Sequence, residues 1–297
     1  MNAGEIMYLA DRWLDYELLD AGDGEKLERW GNVILQRPDP QAIWPHGQWQ
    51  KPDARYQRSS AGGGFWQINR QYPKQWKINY PALVTPLTFI IEPTGFKHTG
   101  LFPEQAANWD FCTDKIRAAR QSGREVRILN LFAYTGAASV ACSAAGATEV
   151  VHVDASKGMN ARAKENLIAS GLENQVVRCL ADDVQKFVER EIRRGRTYDG
   201  IIMDPPSYGR GPSGELWKLE DALYGLIERT SLLLSEQPLF FLVNSYTTGL
   251  APLVLSDILG LVIKPRSGGR VEAQELGIPA TQRDLILPCG ATGRWQP

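Results

Sequence analysis

The chain has 297 residues, 43% hydrophobic and 23% charged, with a formal net charge of −1. That is the composition of an ordinary globular protein of about two domains. It excludes a strongly basic nucleic-acid binder by bulk charge. No run reaches the ~18 apolar residues of a membrane helix, and no basic-then-apolar leader opens the chain, so cytoplasmic residence is the expectation. Cys112, Cys142, Cys179 and Cys289 form no C-x-x-C pair, and with His46, His98 and His152 they give no zinc spacing. Reduced thiols and no metal are expected.

In chain order, a short helical lead is predicted around Tyr8–Leu19. Residues 1–98 otherwise read as a small β-rich domain. Turn signals such as Asp23-Gly24, Arg37-Pro38-Asp39-Pro40 and Gly62-Gly63-Gly64 break short apolar stretches, and Trp76–Tyr80 and Leu87–Ile91 read as strands. Five of the nine tryptophans fall in the short span from 30 to 76: Trp30, Trp44, Trp49, Trp66 and Trp76.

From residue 99 the texture changes. Pro103–Arg120 reads as a helix with Pro at its start and Ser122-Gly123 past its end. Strands Arg127–Phe132, Glu149–Asp154, Val176–Leu180, Tyr198–Asp204 and Leu239–Asn244 then alternate with helices. The helices are Ala137–Ala145, Met159–Ser170, Val184–Arg194, Leu216–Ser235 and Leu253–Gly260. Such alternation predicts an α/β fold with a parallel sheet covered on both faces. Val271–Leu276 and Arg283–Pro288, joined by Gly277-Ile278-Pro279, read as a closing hairpin.

Four strand ends carry the chemistry. At the first, Phe132-Ala133-Tyr134-Thr135-Gly136-Ala137 turns into a helix of small residues, where open α/β sheets bind ligands. A pyrophosphate loop wants G-x-G-x-x-G; one Gly136 suits an amino-acid carboxylate at a helix start instead. This weakens a nicotinamide oxidoreductase reading. At the second, Asp154 lies 18 residues after Gly136, close to the ~20 expected of an acid that accepts hydrogen bonds from a ribose diol. It or Ser156, after Ala155, can also cap the next helix. His152 is expected to be packed within its strand.

At the third strand end, Asp182 and Asp183 both qualify for the adenine amino group or for helix capping, and the sequence does not say which does which. At the fourth, Asp204-Pro205-Pro206 leaves the sheet rigidly. Ser207, Tyr208 and a glycine-rich stretch to Gly214 follow. The prolines hold Asp204 and backbone carbonyls ready beside a reaction centre.

Taken together these segments resemble class I S-adenosylmethionine-dependent methyltransferases. Within that class the chain is similar to the group containing the large-subunit ribosomal RNA cytosine-C5 enzymes. The match is collinear over about Thr99–Pro297. It includes Gly100-Leu101-Phe102-Pro103-Glu104-Gln105, Leu129–Gly136, Val153-Asp154, Asp182-Asp183 and Asp204-Pro205-Pro206. The resemblance implies a Rossmann-like, seven-stranded, mostly parallel sheet with an inserted antiparallel strand. It also implies S-adenosylmethionine as donor. Gln105, Tyr134, Thr135 and Gly136 would lie near its methionine part, Asp154 at the ribose, Asp182 or Asp183 at the adenine, and Asp204 near the methyl group.

One departure bears on the reaction. A cytosine-C5 enzyme needs a cysteine nucleophile, after the fifth strand or after the fourth-strand prolines. Tyr246 and Ser207 hold those two places here. Direct in-line transfer to nitrogen or oxygen is the expectation. For the acceptor, Arg29–Tyr80 holds eight basic residues against Asp39 and Asp53, a net of +6, interleaved with aromatics. That is what an RNA surface uses, and equally what a solvated basic rim around an aromatic core looks like. A small-molecule or protein acceptor and a non-catalytic donor-binding module remain the alternatives. The sequence does not give the oligomeric state.

Overall fold

The computed structural model describes residues 7–59, 63–82, 85–210 and 216–297. Eight strands come first: β1 (Met7–Leu9), β2 (Tyr16–Gly22), β3 (Glu25–Trp30), β4 (Val33–Pro38), β5 (Ala54–Arg58), β6 (Gly64–Ile68), β7 (Trp76–Tyr80) and β8 (Leu87–Ile91). A 3₁₀ turn at Pro103–Gln105 leads into α1 (Ala106–Gln121). Then β9 (Arg127–Leu131), α2 (Ala137–Ala144), β10 (Glu149–Asp154), α3 (Lys157–Ala169), β11 (Val177–Ala181), α4 (Val184–Arg193) and β12 (Gly200–Met203) alternate. The chain continues with β13 (Tyr208–Arg210), β14 (Leu216–Lys218), α5 (Leu219–Ser231), β15 (Phe240–Ser245), α6 (Pro252–Val262) and α7 (Lys264–Ser267). It ends with β16 (Arg270–Pro279) and β17 (Ile286–Gln296).

Two compact units result. One comprises the chain up to Tyr8, Asn108–Leu276 and Gly290–Pro297; the other comprises Leu9–Ala107 and Gly277–Cys289. The division falls at 107/108, against the 98/99 read from composition, and the terminal strands contribute to both units.

The first unit is built on an eight-stranded sheet ordered β1-β16-β17-β15-β12-β9-β10-β11. The five central strands from β15 to β11 run parallel, and β17 is antiparallel to β15. The seven strands implied by the resemblance are all present, with short β1 added at the edge. From β9 the chain steps outward to β10 and β11, then returns to β12 and β15. This reversal opens a crevice at the strand C-termini, the general ligand position of such sheets. Alternation along each strand feeds two faces. Ile201, Met203, Phe241 and Val243 pack with α4, α5 and α6. Ile202, Phe240 and Leu242 pack with α1 and α2.

The second unit holds a five-stranded sheet, β2-β3-β4-β5-β6, and the β7–β8 hairpin. Its core includes Leu18, Leu27, Trp30, Leu35, Ile78 and Phe89, all fully buried.

Three segments depart from expectation. The lead at Tyr8–Leu19 is not helical: it contributes to β1 and β2. Gly22 pairs with Glu25 across a two-residue Asp23-Gly24 turn with φ of 50° and 77°. That is the left-handed pair a tight hairpin demands, and pairing with β3 overrides any local helical tendency. The helix expected from Leu216 begins at Leu219 and ends at Ser231, because Leu216–Lys218 pairs with Tyr208–Arg210 instead. Gly277-Ile278-Pro279 is no turn: β16 runs through it to Pro279, and β17 starts at Ile286. Proline is tolerated at that strand end, where no ladder N–H is required. Helix α7 was not foreseen.

Candidate active site

The loop after β9 holds two of the three non-glycine residues of positive φ in the described backbone. Phe132 and Tyr134 take φ of 55° and 49°; the only other non-glycine with positive φ among the described residues is Asp23. Such left-handed residues cost free energy and concentrate at functional loops. Gly136, with φ of 83°, forms the N-cap of α2. A Cβ there would come within 2.7 Å of the Ala163 Cβ. Gly136 is thus required by backbone conformation and by the close approach of α3.

Two side chains clamp this loop. Asp154, at the end of β10, accepts the Tyr134 N–H at 2.9 Å on one carboxylate oxygen and the Ser156 N–H at 2.8 Å on the other. From α3, the buried Asn166 amide donates to the Thr135 carbonyl at 2.9 Å. Asn160 donates to the carbonyls of Asp154 and Ser156. Burial raises the Asp154 pKa, and the two backbone N–H groups only oppose that rise. Each of its oxygens keeps acceptor capacity for a further donor. Beneath the loop, Asn130 donates to Ser139 Oγ, which lies 3.0 Å from His152 Nδ1. Burial lowers the His152 pKa to about 4, so the ring is neutral at physiological pH. As expected, it is a packed strand residue.

The structure separates the two acids after β11. Asp183 is the N-cap of α4, accepting the Lys186 N–H at 2.9 Å. Asp182 pairs with the Arg190 guanidinium and accepts the Asp183 N–H. Its own N–H reaches the Asp154 carbonyl at 3.2 Å, joining the second and third strand ends. Ser156 caps α3 by accepting the Met159 N–H.

Beyond β12, Asp204 donates its N–H to the Leu131 carbonyl at 3.3 Å. Pro205 is buried and Pro206 exposed. The Pro206 carbonyl, one of those considered for an acceptor amine, receives the Trp217 indole N–H at 2.7 Å. Tyr208 is 61% exposed. The first residues of the glycine-rich stretch form β13; positions 211–214 lie outside the described residues.

The candidate residues Phe132, Tyr134, Thr135, Gly136, Ala137, Asp154, Ala155, Ser156, Asp182, Asp183 and Asp204–Tyr208 thus fall at the C-terminal ends of four adjacent parallel strands of one unit. Gln105 is buried in the 3₁₀ turn of the other unit. None of the four cysteines follows β12 or β15: they sit on α1, α2, β11 and β17. A hydrogen bond with Cys112 and burial push the Cys142 thiol up, and burial raises Cys179 and Cys289, so these three stay protonated.

A network missed by sequence reasoning borders the site. Asn244, the residue after the Met203–Val243 pair, accepts from Asn108 Nδ2 at 2.9 Å, and Arg294 donates to Asn108 Oδ1 at 2.7 Å. The buried guanidinium lies over the Tyr8 and Phe111 rings. The signal was faint: isolated polar residues on otherwise apolar faces. Asn160 and Asn166, flanking Ala163 at helical spacing, show the same pattern.

The basic stretch Arg29–Tyr80 changes meaning in three dimensions. Arg29 pairs with Glu17, Arg37 with Glu28, Arg55 with Glu25, Arg70 with Asp53 and Lys74 with Glu92. Four of those acids lie outside the stretch, so the net of +6 counted along the chain overstates the surface charge. The tryptophans are also committed. Trp30 is fully buried, and the indoles of Trp44, Trp49, Trp66 and Trp76 donate to Ala21, Asp20, Thr94 and Trp30.

Residues 83–245 match the family model described as S-adenosylmethionine-dependent methyltransferase. The chain belongs to this family. The family is described by its donor, S-adenosylmethionine, and by methyl transfer. A SAM-dependent methyltransferase of Agrobacterium tumefaciens superposes with a TM-score of 0.90 at 33% identity, covering 98% of this chain and 93% of that one. A second solved structure, complexed with S-adenosylhomocysteine, has a TM-score of 0.70 at 18% identity, covering 96% and 76%, and shares the fold. Among curated relatives, ribosomal RNA large subunit methyltransferase K/L of Shewanella sp. (strain MR-4) is 35% identical over 69% of this chain. Ribosomal RNA large subunit methyltransferase I of Enterobacter sp. (strain 638) is 30% identical over 41%. The chain spans 28% and 29% of the length of those two relatives. Among the described residues no helix is long and apolar enough to cross a membrane, and no cluster of three or more His, Cys, Asp or Glu could hold a metal.

Proposed function

We propose that this methyltransferase acts on RNA of the ribosomal class, by in-line transfer without a cysteine adduct. The similarity to two kinds of ribosomal RNA large subunit methyltransferase carries the acceptor class. Such an acceptor implies work in the cytoplasm. Tyr246 and Ser207, where a nucleophilic thiol would be needed, support the direct route.

The donor loop fits an amino-acid carboxylate. Gly136 offers no side chain to cap α2, so the N–H groups of the first turn are open to an anion at the positive end of the helix. Phe132, Tyr134, Thr135 and Ala137 shape that pocket. The remaining lone pairs of Asp154, beside Ala155 and Ser156, accept the ribose hydroxyls. Asp183 caps α4 through one oxygen and Asp182 holds Arg190 and the Asp183 N–H, so the adenine amino group is left to the remaining lone pairs of either acid. When bound, the donor supplies an electrophilic sulfonium methyl group. The chain's own task is alignment: Asp204, Pro205 and Pro206 hold the acceptor on the line of displacement, with Ser207 and Tyr208 beside it.

One observation favours a second reading, a small-molecule or protein acceptor: five of the eight cations in Arg29–Tyr80 are paired with acids, which lowers the positive charge left for RNA. The two are separated by transfer of labelled methyl from S-adenosylmethionine into fractionated extract of a strain lacking the protein. Label in ribosomal RNA supports the proposal. Label only in protein or metabolites overturns it.

A further inference from the structure

The hairpin that follows Asp204-Pro205-Pro206 is built around one side chain. Its strands pair Tyr208 with Lys218 and Gly209 with Trp217. Its base is closed by the Leu219 N–H, which donates to the Ser207 carbonyl at 3.1 Å. Alternation puts Tyr208, Leu216 and Lys218 on one face, where the first two are at least half exposed. Trp217 lies on the opposite face. Its neighbour across the ladder is Gly209, where a Cβ would stand 3.8 Å from the Trp217 Cβ, so the indole is uncrowded.

Trp217 makes two contacts of different kinds. Its indole N–H donates to the Pro206 carbonyl at 2.7 Å, within the Asp204-Pro205-Pro206 segment itself. Its ring packs against Phe132, centroids 6.1 Å apart and planes tilted by 43°. Phe132 is one of the two left-handed non-glycine residues of the β9–α2 loop. Asp204 also reaches that loop's strand by donating to the Leu131 carbonyl. The two loops are therefore linked by one backbone bond and by one indole that touches both.

We propose that Trp217 is a positioning residue that couples the donor loop to the acceptor loop. The assignment rests on the site reading given above. Two consecutive prolines leave residues 205 and 206 without N–H groups, so that segment can be tied down only through its carbonyls. Pro206 is tied by Trp217. The other end of the tie is a ring packed at a tilt against a left-handed loop residue that a bound donor would contact. Ordering of Phe132 by the donor is then transmitted to Pro206 and to the adjoining strand of the hairpin. A tryptophan that was only packed would need an acceptor for its N–H, but any carbonyl would serve, and no ligand-dependent effect would follow.

The test is amide hydrogen exchange at residues 207–210, with and without S-adenosylhomocysteine, in wild type, W217F and W217A. Thermal unfolding checks that each variant is folded; W217F keeps a ring against Phe132 and loses only the N–H. In wild type the ligand should slow exchange by about fivefold, the worth of one ordinary hydrogen bond. In W217F and W217A that protection should vanish while ligand affinity stays within about threefold. Equal protection in W217F and wild type, or none in wild type, would overturn the proposal. Turnover gives a second arm. With ribosomal RNA as acceptor, kcat should fall about fivefold in W217F with the KM for S-adenosylmethionine unchanged, and a change confined to KM would count against coupling. If wild type fails to methylate ribosomal RNA, the acceptor reading fails, and the exchange result still decides the role of Trp217.

Discussion

Glu28, fully buried, and Asp154, half-buried, are carboxylates of the two units, and their surroundings push them in opposite directions. Burial disfavours the charge of both. At Glu28 that effect is overwhelmed by Arg37 and Lys26, by two hydrogen bonds from the Arg37 guanidinium and by one from Tyr16, and the pKa falls to about 2. At Asp154 two backbone N–H groups oppose burial, no ion pair with a described residue adds to them, and the pKa rises. Glu28 has its acceptor capacity filled by protein. Asp154 retains lone pairs and an uncompensated charge. The first arrangement holds a fold together, whereas the second is poised for hydroxyl donors from a ligand.

The largest expected effect is on the saturated side. Glu28→Ala leaves Arg37 buried without its partner and should cost roughly 3–5 kcal/mol of stability, read from denaturant unfolding. Donor affinity per folded molecule should not change, and a weakened donor site in folded E28A would break the contrast. The same pair predicts an acid dependence. A carboxylate with a depressed folded pKa contributes its stability above the unfolded value and loses it as pH falls. The stability gap between wild type and Glu28→Gln should therefore be full above about 5 and close as pH falls from 4.5 toward 2. A gap that stays constant over that range would remove the electrostatic explanation.

On the unsaturated side, Asp154→Ala removes the acceptor for a diol and unpins Tyr134. Calorimetry with S-adenosylmethionine should show a loss of about 1.5–3 kcal/mol in binding, on the order of tenfold to a hundredfold. Unchanged affinity would refute the ribose assignment. The smallest effects belong to the surface of the second unit. Lys51, Arg58 and Lys77 are exposed and form no ion pair with a described residue, in contrast to Arg55, which Glu25 engages. Neutralising each of the three should lower the salt slope of RNA binding by at most about one. Neutralising Arg55 should change it less. Equal effects from all four would show that the ion pairs open when RNA binds.

The strand ends were legible because each depends on a short local pattern. An apolar strand followed by Gly136, Asp154 or Asp204-Pro205-Pro206 can be read residue by residue, and the elements around them shift by only one or two positions. The segments that misled depend on distant partners. Tyr16–Gly22 is a strand because β3 lies beside it, and Leu216–Lys218 because Tyr208–Arg210 does. The charge count along Arg29–Tyr80 erred for the same reason, since Glu17, Glu25, Glu28 and Glu92 come from outside it.

The sequence alone therefore determined the α/β class, the order of the strand ends and the acids they carry, because hydrophobic period and turn chemistry are local. The tertiary structure decided which of Asp182 and Asp183 caps a helix, which cations are already neutralised, and that Trp217 touches both Phe132 and Pro206. Those outcomes depend on which groups folding brings within hydrogen-bond distance. Pairs such as Trp217 and Phe132, far apart along the chain, meet only once the parallel strands are laid side by side.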